Sequence, residues 1–152
     1  MAIKNNIHMK LSLDIDEIAE AFFEDTNLLG IMAPMPAHQF VWQVNQSIRF
    51  DFRIQSDLEI SLKRKNRNYF FPVYAFQEPG YVLTNYIYKN LFDGEYLLPE
   101  FKHLDYLWLC KGDLPAKEEE KLLVEDIRNI PGVQMVVELG HEKIKNRHNL
   151  MF

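Results

Sequence analysis

The sequence predicts an α+β fold: a mostly antiparallel sheet of about six or seven strands, with about three helices on one face and a strand–helix–strand crossover at the end. Three observations predict it. Several short segments alternate apolar and polar residues, as half-buried strands do. Three other segments repeat their apolar residues at helical spacing. Near the end, an apolar run, an amphipathic run and a second apolar run follow one another, the pattern of a right-handed crossover.

In chain order, Ile7, Met9, Leu11 and Leu13 alternate with His8, Lys10 and Ser12 and predict a first strand. Asp14 and Asp16 open a first helix, with Ile18, Ala21 and Phe22 on one side and Glu17, Glu20 and Glu24 on the other. Pro34 and Pro36 interrupt the apolar run that follows. Phe40, Val41, Val44 and Ile48 then predict a second helix from Ala37 to Ser47.

Strand periodicity returns at Phe50, Phe52 and Ile54 and continues through Leu58, Ile60 and Leu62. Tyr69 to Phe76 and Tyr81 to Lys89 complete an antiparallel meander, joined by the turn Gln77-Glu78-Pro79-Gly80. Pro72 inside the first of these marks an edge position or a bulge, because proline donates no ladder hydrogen bond. A loop from Asn90 to Glu100 leads to Leu104–Cys110, apolar on both sides like a central strand.

Lys111-Gly112-Asp113-Leu114-Pro115 breaks that strand. A third helix follows from Lys117 to Asn129, with Leu122, Leu123, Ile127 and Ile130 as its inward stripe. Pro131-Gly132 ends it, and Val133, Met135 and Val137 begin the last strand. No repeat, linker or low-complexity tract divides the chain, so residues 1–152 read as one α+β domain.

Composition bounds the function. A chain of 152 residues buries roughly two-thirds of its unfolded surface and needs no disulfide or metal to hold a core. The single cysteine, Cys110, excludes an internal disulfide and zinc sites of paired cysteines; in the most apolar strand it reads as a small buried thiol. The net charge of −5 disfavours a polyanionic partner. No signal-like or membrane-spanning stretch is visible, which places the protein in the cytoplasm. No HExxH, GxSxG or glycine-rich phosphate loop occurs, so no cofactor or metal is expected.

Residues 98–109 read LPEFKHLDYLWL. Pro99, Glu100, Asp105 and Tyr106, with the spacer Phe101-Lys102-His103, resemble the signature of the IPExxxVDY family, bacterial proteins without an assigned activity. Leu98 stands for isoleucine and Leu104 for valine. The length, the helix carrying Trp42 and the ending Asn149-Leu150-Met151-Phe152 are similar too. The resemblance implies membership over the whole chain and supplies no catalytic residue.

Read physically, Pro99 sets the path of the loop into the strand. Strand alternation places Leu104, Tyr106 and Trp108 on one side, and His103, Asp105, Leu107 and Leu109 on the other. A carboxylate at Asp105 then needs a basic partner or loop N–H groups, and Glu100 is suited to fasten a turn.

Four functional readings compete with structural ones. Glu100, His103 and Asp105 could form a catalytic or metal site, against a role in tying the loop to the sheet. Lys63, Arg64, Lys65 and Arg67, followed by Tyr69, Phe70 and Phe71, could bind single-stranded RNA, against a solvated hairpin turn. The tail, with basic His141, Lys143, Lys145, Arg147 and His148 before apolar Leu150, Met151 and Phe152, could dock on a partner or swap between copies, against completing its own core. Trp42, Tyr74, Tyr86, Tyr88 and Trp108 could line a small-molecule pocket, against simply forming the core. The favoured reading is a non-enzymatic binding or interaction domain with a protein or small-molecule partner, a homodimer included.

Overall fold

The computed structural model describes residues 14–152, so the strand expected at Ile7–Leu13 lies outside the described residues. Over the described residues the fold is α+β, with three α-helices, a six-stranded antiparallel sheet and two small hairpins. Helix α1 covers residues 14–23, β1 spans Thr26–Met32 and α2 spans Ala37–Ile48. Then come β2 (Arg53–Ile54), β3 (Ile60–Arg64), β4 (Arg67–Phe71), β5 (Val73–Gln77) and β6 (Thr84–Lys89). The short hairpin β7 (Leu91–Phe92) and β8 (Glu95–Tyr96) precedes β9 (Tyr106–Lys111), α3 (Lys117–Arg128) and β10 (Met135–Leu139).

The main sheet has the order β10-β1-β9-β6-β5-β2. Both β9 and β10 run antiparallel to β1, one on each side of it, so they are parallel to each other and α3 carries the expected crossover. Strand β9 is central, and Tyr106 to Cys110 are all buried. Its alternation divides the core. Tyr106, Trp108 and Cys110 meet Phe40, Val41 and Val44 of α2 and Val124 and Ile127 of α3 on one face. Leu107 and Leu109 meet Phe23 of α1, the β3–β4 hairpin and the tail residues Ile144 and Leu150 on the other.

The helices therefore do not share one face. Only α2 and α3 do, and α1 contributes to the opposite side. The stripe of α1 also sits off the expected one, and that of α3 differs at one residue. In α1 the inward residues are Ala19, Phe22 and Phe23, while Ile18 and Ala21 are exposed. In α3 Leu123, Ile127 and Ile130 turn inward as expected and Val124 joins them, while Leu122 faces solvent. Runs of adjacent apolar residues offer two helical stripes to choose from, and only tertiary packing selects one.

Pro72 is neither an edge position nor a bulge within one strand; it separates two. Before it, β4 pairs with β3 in a separate hairpin; after it, β5 joins the main sheet between β2 and β6. The missing N–H is what ends one ladder and starts the other. The segment around Phe50 is strand only at Arg53–Ile54. Ahead of it, Asn45 of α2 clamps the chain, its amide accepting from Phe52 N–H at 2.9 Å and donating to Phe52 C=O at 3.2 Å.

Candidate functional site

The signature stretch is shaped by a residue outside it. Asn90 is fully buried just after β6. Its backbone N–H donates to Asp105 C=O at 2.9 Å, and its own C=O accepts from Leu97 N–H at 2.8 Å. Its side-chain oxygen accepts from Leu98 N–H at 2.8 Å, and its amide donates to the carbonyls of Phe101 and Leu104 at 2.9 and 3.0 Å. Buried loop carbonyls need such partners, and one amide supplies several of them. Around it, Pro99–Phe101 forms a single 3₁₀ turn, with proline at its first position.

Leu104 then drops onto β1 at Gly30. A Cβ on Gly30 would lie 2.3 Å from Leu104 Cδ1, so the hollow left by glycine receives the leucine. Leu104 packs with Leu107 and Leu109, not with Tyr106 and Trp108 as strand alternation predicts. The reason is that the strand begins only at Tyr106, and His103 and Leu104 still belong to a turn and its exit.

Asp105 and Glu100 are each engaged by N–H groups. Asp105 Oδ2 accepts from Ala33 N–H at 2.7 Å, and its backbone N–H donates to Ile31 C=O at 2.8 Å, which anchors the end of β1. Glu100 Oε2 accepts from Asn146 N–H at 3.1 Å and from the Asn146 side-chain amide at 2.9 Å, which holds the C-terminal segment. His103 is exposed, its ring near Phe101. The two carboxylates are thus directed at different backbone partners. Among the described residues, no three His, Cys, Asp or Glu side chains are placed to hold a metal ion.

Tyr106 donates its hydroxyl to Met35 C=O and stacks on Phe40 at 4.1 Å. Burial, then the Asp105 charge, then Tyr74 push its phenol well above the ordinary range. Trp108 donates to Asn85 Oδ1 at 2.9 Å, and the Cys110 thiol shares that oxygen at 3.3 Å. Burial pushes the Cys110 thiol up to about 12, the condition of an unreactive cysteine. Of the five aromatics named as pocket candidates, Trp108 and Tyr88 are fully buried, Tyr74 and Tyr86 are half-buried, and Trp42 is exposed.

The basic stretch forms the tip of the β3–β4 hairpin. Lys65 and Asn66 turn the chain with φ of 51° and 61°, the two positive values of a type I′ turn. Arg67 pairs with Asp93 of the β7–β8 turn and lies 4.8 Å over the Tyr69 ring. Lys63, Arg64 and Lys65 are exposed and form no ion pair among the described residues. The tail folds back on its own chain. Leu150 is fully buried and its C=O accepts from Tyr88 OH at 2.9 Å; Asn149 donates to Leu97 C=O at 2.7 Å.

Sequence reasoning did not single out the groove between β2, at the end of the sheet among the described residues, and the β3–β4 hairpin. It encloses about 360 Å³ and is lined mainly by Ile54, Leu58, Phe70, Pro72, Tyr74 and Phe92. Ile54, Phe70 and Phe92 are 61%, 52% and 40% exposed, high for side chains of their kind. The usable signal was the alternation of β4, where Tyr69 and Phe71 go inward and Phe70 must therefore point out. Compared with known proteins, the chain matches no family model and no curated protein.

Proposed function

We propose that the chain is a non-enzymatic binding domain of the IPExxxVDY family, working in the cytoplasm, whose groove beside β2 takes an extended apolar segment of a partner protein. The observation that carries this reading is the convergence of exposed Ile54, Phe70 and Phe92 on one open apolar groove. The groove lies beside β2, the last strand of the sheet among the described residues, where a strand-like segment gains backbone hydrogen bonds from Ile54 while alternate side chains enter the apolar lining. Arg53 is already compensated by Asp51 and Arg67 by Asp93, and Glu59 lines the groove, which favours an uncharged segment over an acidic one.

The test is fluorescence anisotropy with a panel of labelled peptides carrying Leu or Phe at alternate positions. Such peptides bind the native chain, and Ile54→Ser with Phe70→Ser abolishes binding without changing the circular dichroism. No binding, or equal binding to the variant, overturns the reading.

A second reading, single-stranded RNA, is favoured by one observation: Lys63, Arg64 and Lys65 lie on the same hairpin as exposed Phe70. It predicts a mobility shift with RNA that salt removes. The enzyme reading through Glu100, His103 and Asp105 is weakened by the backbone N–H groups that engage both carboxylates.

A further inference from the structure

At the other end of the sheet, β10 has no strand partner on its outer side among the described residues. Its sequence, Met135-Val136-Val137-Glu138-Leu139, carries no lysine, proline or glycine to discourage edge pairing. The Arg128 guanidinium donates to Val136 C=O at 3.4 Å, which identifies the outward backbone groups. Peptide groups alternate along a strand, so Val136 and Glu138 present their N–H and C=O outward, while Met135, Val137 and Leu139 face β1.

We propose that β10 is a homodimer interface: it pairs antiparallel with β10 of a second copy, centred on Val137, and joins the two sheets into one of twelve strands. This interface does not depend on the groove, which lies at the opposite edge of the sheet. The argument for a second copy is that the strand is complementary to itself in this register. Val136 stands opposite Glu138 of the second copy, so the outward N–H and C=O of all four residues are satisfied at once.

On one face, Met135, Val137 and Leu139, all half-buried, meet Leu139, Val137 and Met135 in turn, an unbroken apolar row. On the helix face, Glu138 of the second copy arrives beside Val136 and therefore beside Arg128. An open groove of about 650 Å³ between α3 and β10, lined by Lys121, Val124, Glu125, Arg128, Val136 and Glu138, leaves room for it. Arg128, now paired with Glu125 at 2.8 Å, gives up Val136 C=O to the new strand and takes the arriving carboxylate. The twofold axis makes the Arg128–Glu138 contact twice.

Sedimentation velocity of the full chain over a dilution series tests this. A concentration-dependent dimer is expected. Glu138→Lys puts like charges together at both ends and weakens it roughly tenfold. Adding Arg128→Glu restores the pair and the affinity. Glu138→Pro removes an outward N–H and the carboxylate but no bond to β1, so it abolishes the dimer while the circular dichroism of the monomer stays as it is. A monomer throughout the series overturns the proposal. So does a dimer that Glu138→Lys and Glu138→Pro leave intact, or one that is lost instead on Phe70→Ser.

Discussion

Asn90 contributes no chemistry to a reaction, yet its one amide fixes the path of the loop between Leu97 and Asp105. Replacing it with alanine leaves Leu98 N–H and Leu104 C=O buried without partners, while Phe101 C=O keeps only Leu104 N–H. Each such loss costs about 1–3 kcal/mol, so Asn90→Ala lowers stability by about 3 kcal/mol in urea titration. A loss below 1 kcal/mol would mean that water enters and replaces the amide. Cys110 gives the second residue-level expectation. Its thiol stands at about 12 in the fold against 9.0 ordinarily, because burial disfavours the thiolate. A folded-state value raised in this way contributes stability that is present below pH 9.0 and is lost as pH rises toward 12. The buried phenols of Tyr88 and Tyr106 are raised as well and act in the same direction. The fold therefore weakens in alkali, and at pH 8 Cys110 reacts with a thiol reagent only as fast as the chain unfolds. Rapid reaction in the native state would contradict this burial.

At the scale of elements, the turn of β3–β4 leaves stability to be gained. Lys65 holds φ 51°, a region that costs an ordinary side chain about 1 kcal/mol and suits asparagine or glycine better. Lys65→Asn with Asn66→Gly should raise stability by about 1 kcal/mol, read as a higher melting temperature; a fall would show that the Lys65 side chain has a structural role. The tail is the opposite case. Leu150→Ala opens a cavity in the core that holds Tyr88 and costs about 2–5 kcal/mol, whereas Phe152, packed on Phe22 and Tyr86 but 42% exposed, loses less on the same change. Existence and order of the elements were legible because periodicity is a local property: α2, β9, α3 and β10 all appear where the spacing predicts them. Which side of α1 turns inward was not, as Ile18 shows, since neighbouring apolar residues offer two stripes. In the candidate site, the need of Asp105 for N–H donors and the fastening of a turn by Glu100 followed from the cost of a bare carboxylate. Asn90, Asn149 and Gly30 did not, because their importance comes from carbonyls and side chains distant in sequence.

For the whole molecule, one strand carries both cores. Strand β9 sends Trp108 among the helices and Leu107 and Leu109 toward the hairpin and tail, so neither face can come apart while the other keeps its central strand. Shared backbone of this kind couples the two clusters into one cooperative unit. The consequence can be measured with Trp108 itself. Trp42 is 58% exposed, so Trp42→Phe is benign and leaves Trp108 as the single tryptophan, reporting on the helix face alone. Leu104 lies on the other face, over Gly30, and Leu104→Ala removes about 2–5 kcal/mol there. If the sheet transmits that loss, the urea midpoint seen by Trp108 fluorescence falls together with the midpoint seen by far-ultraviolet circular dichroism, and by the same amount. If the two faces unfold separately, the fluorescence midpoint stays where it was while the dichroism midpoint moves.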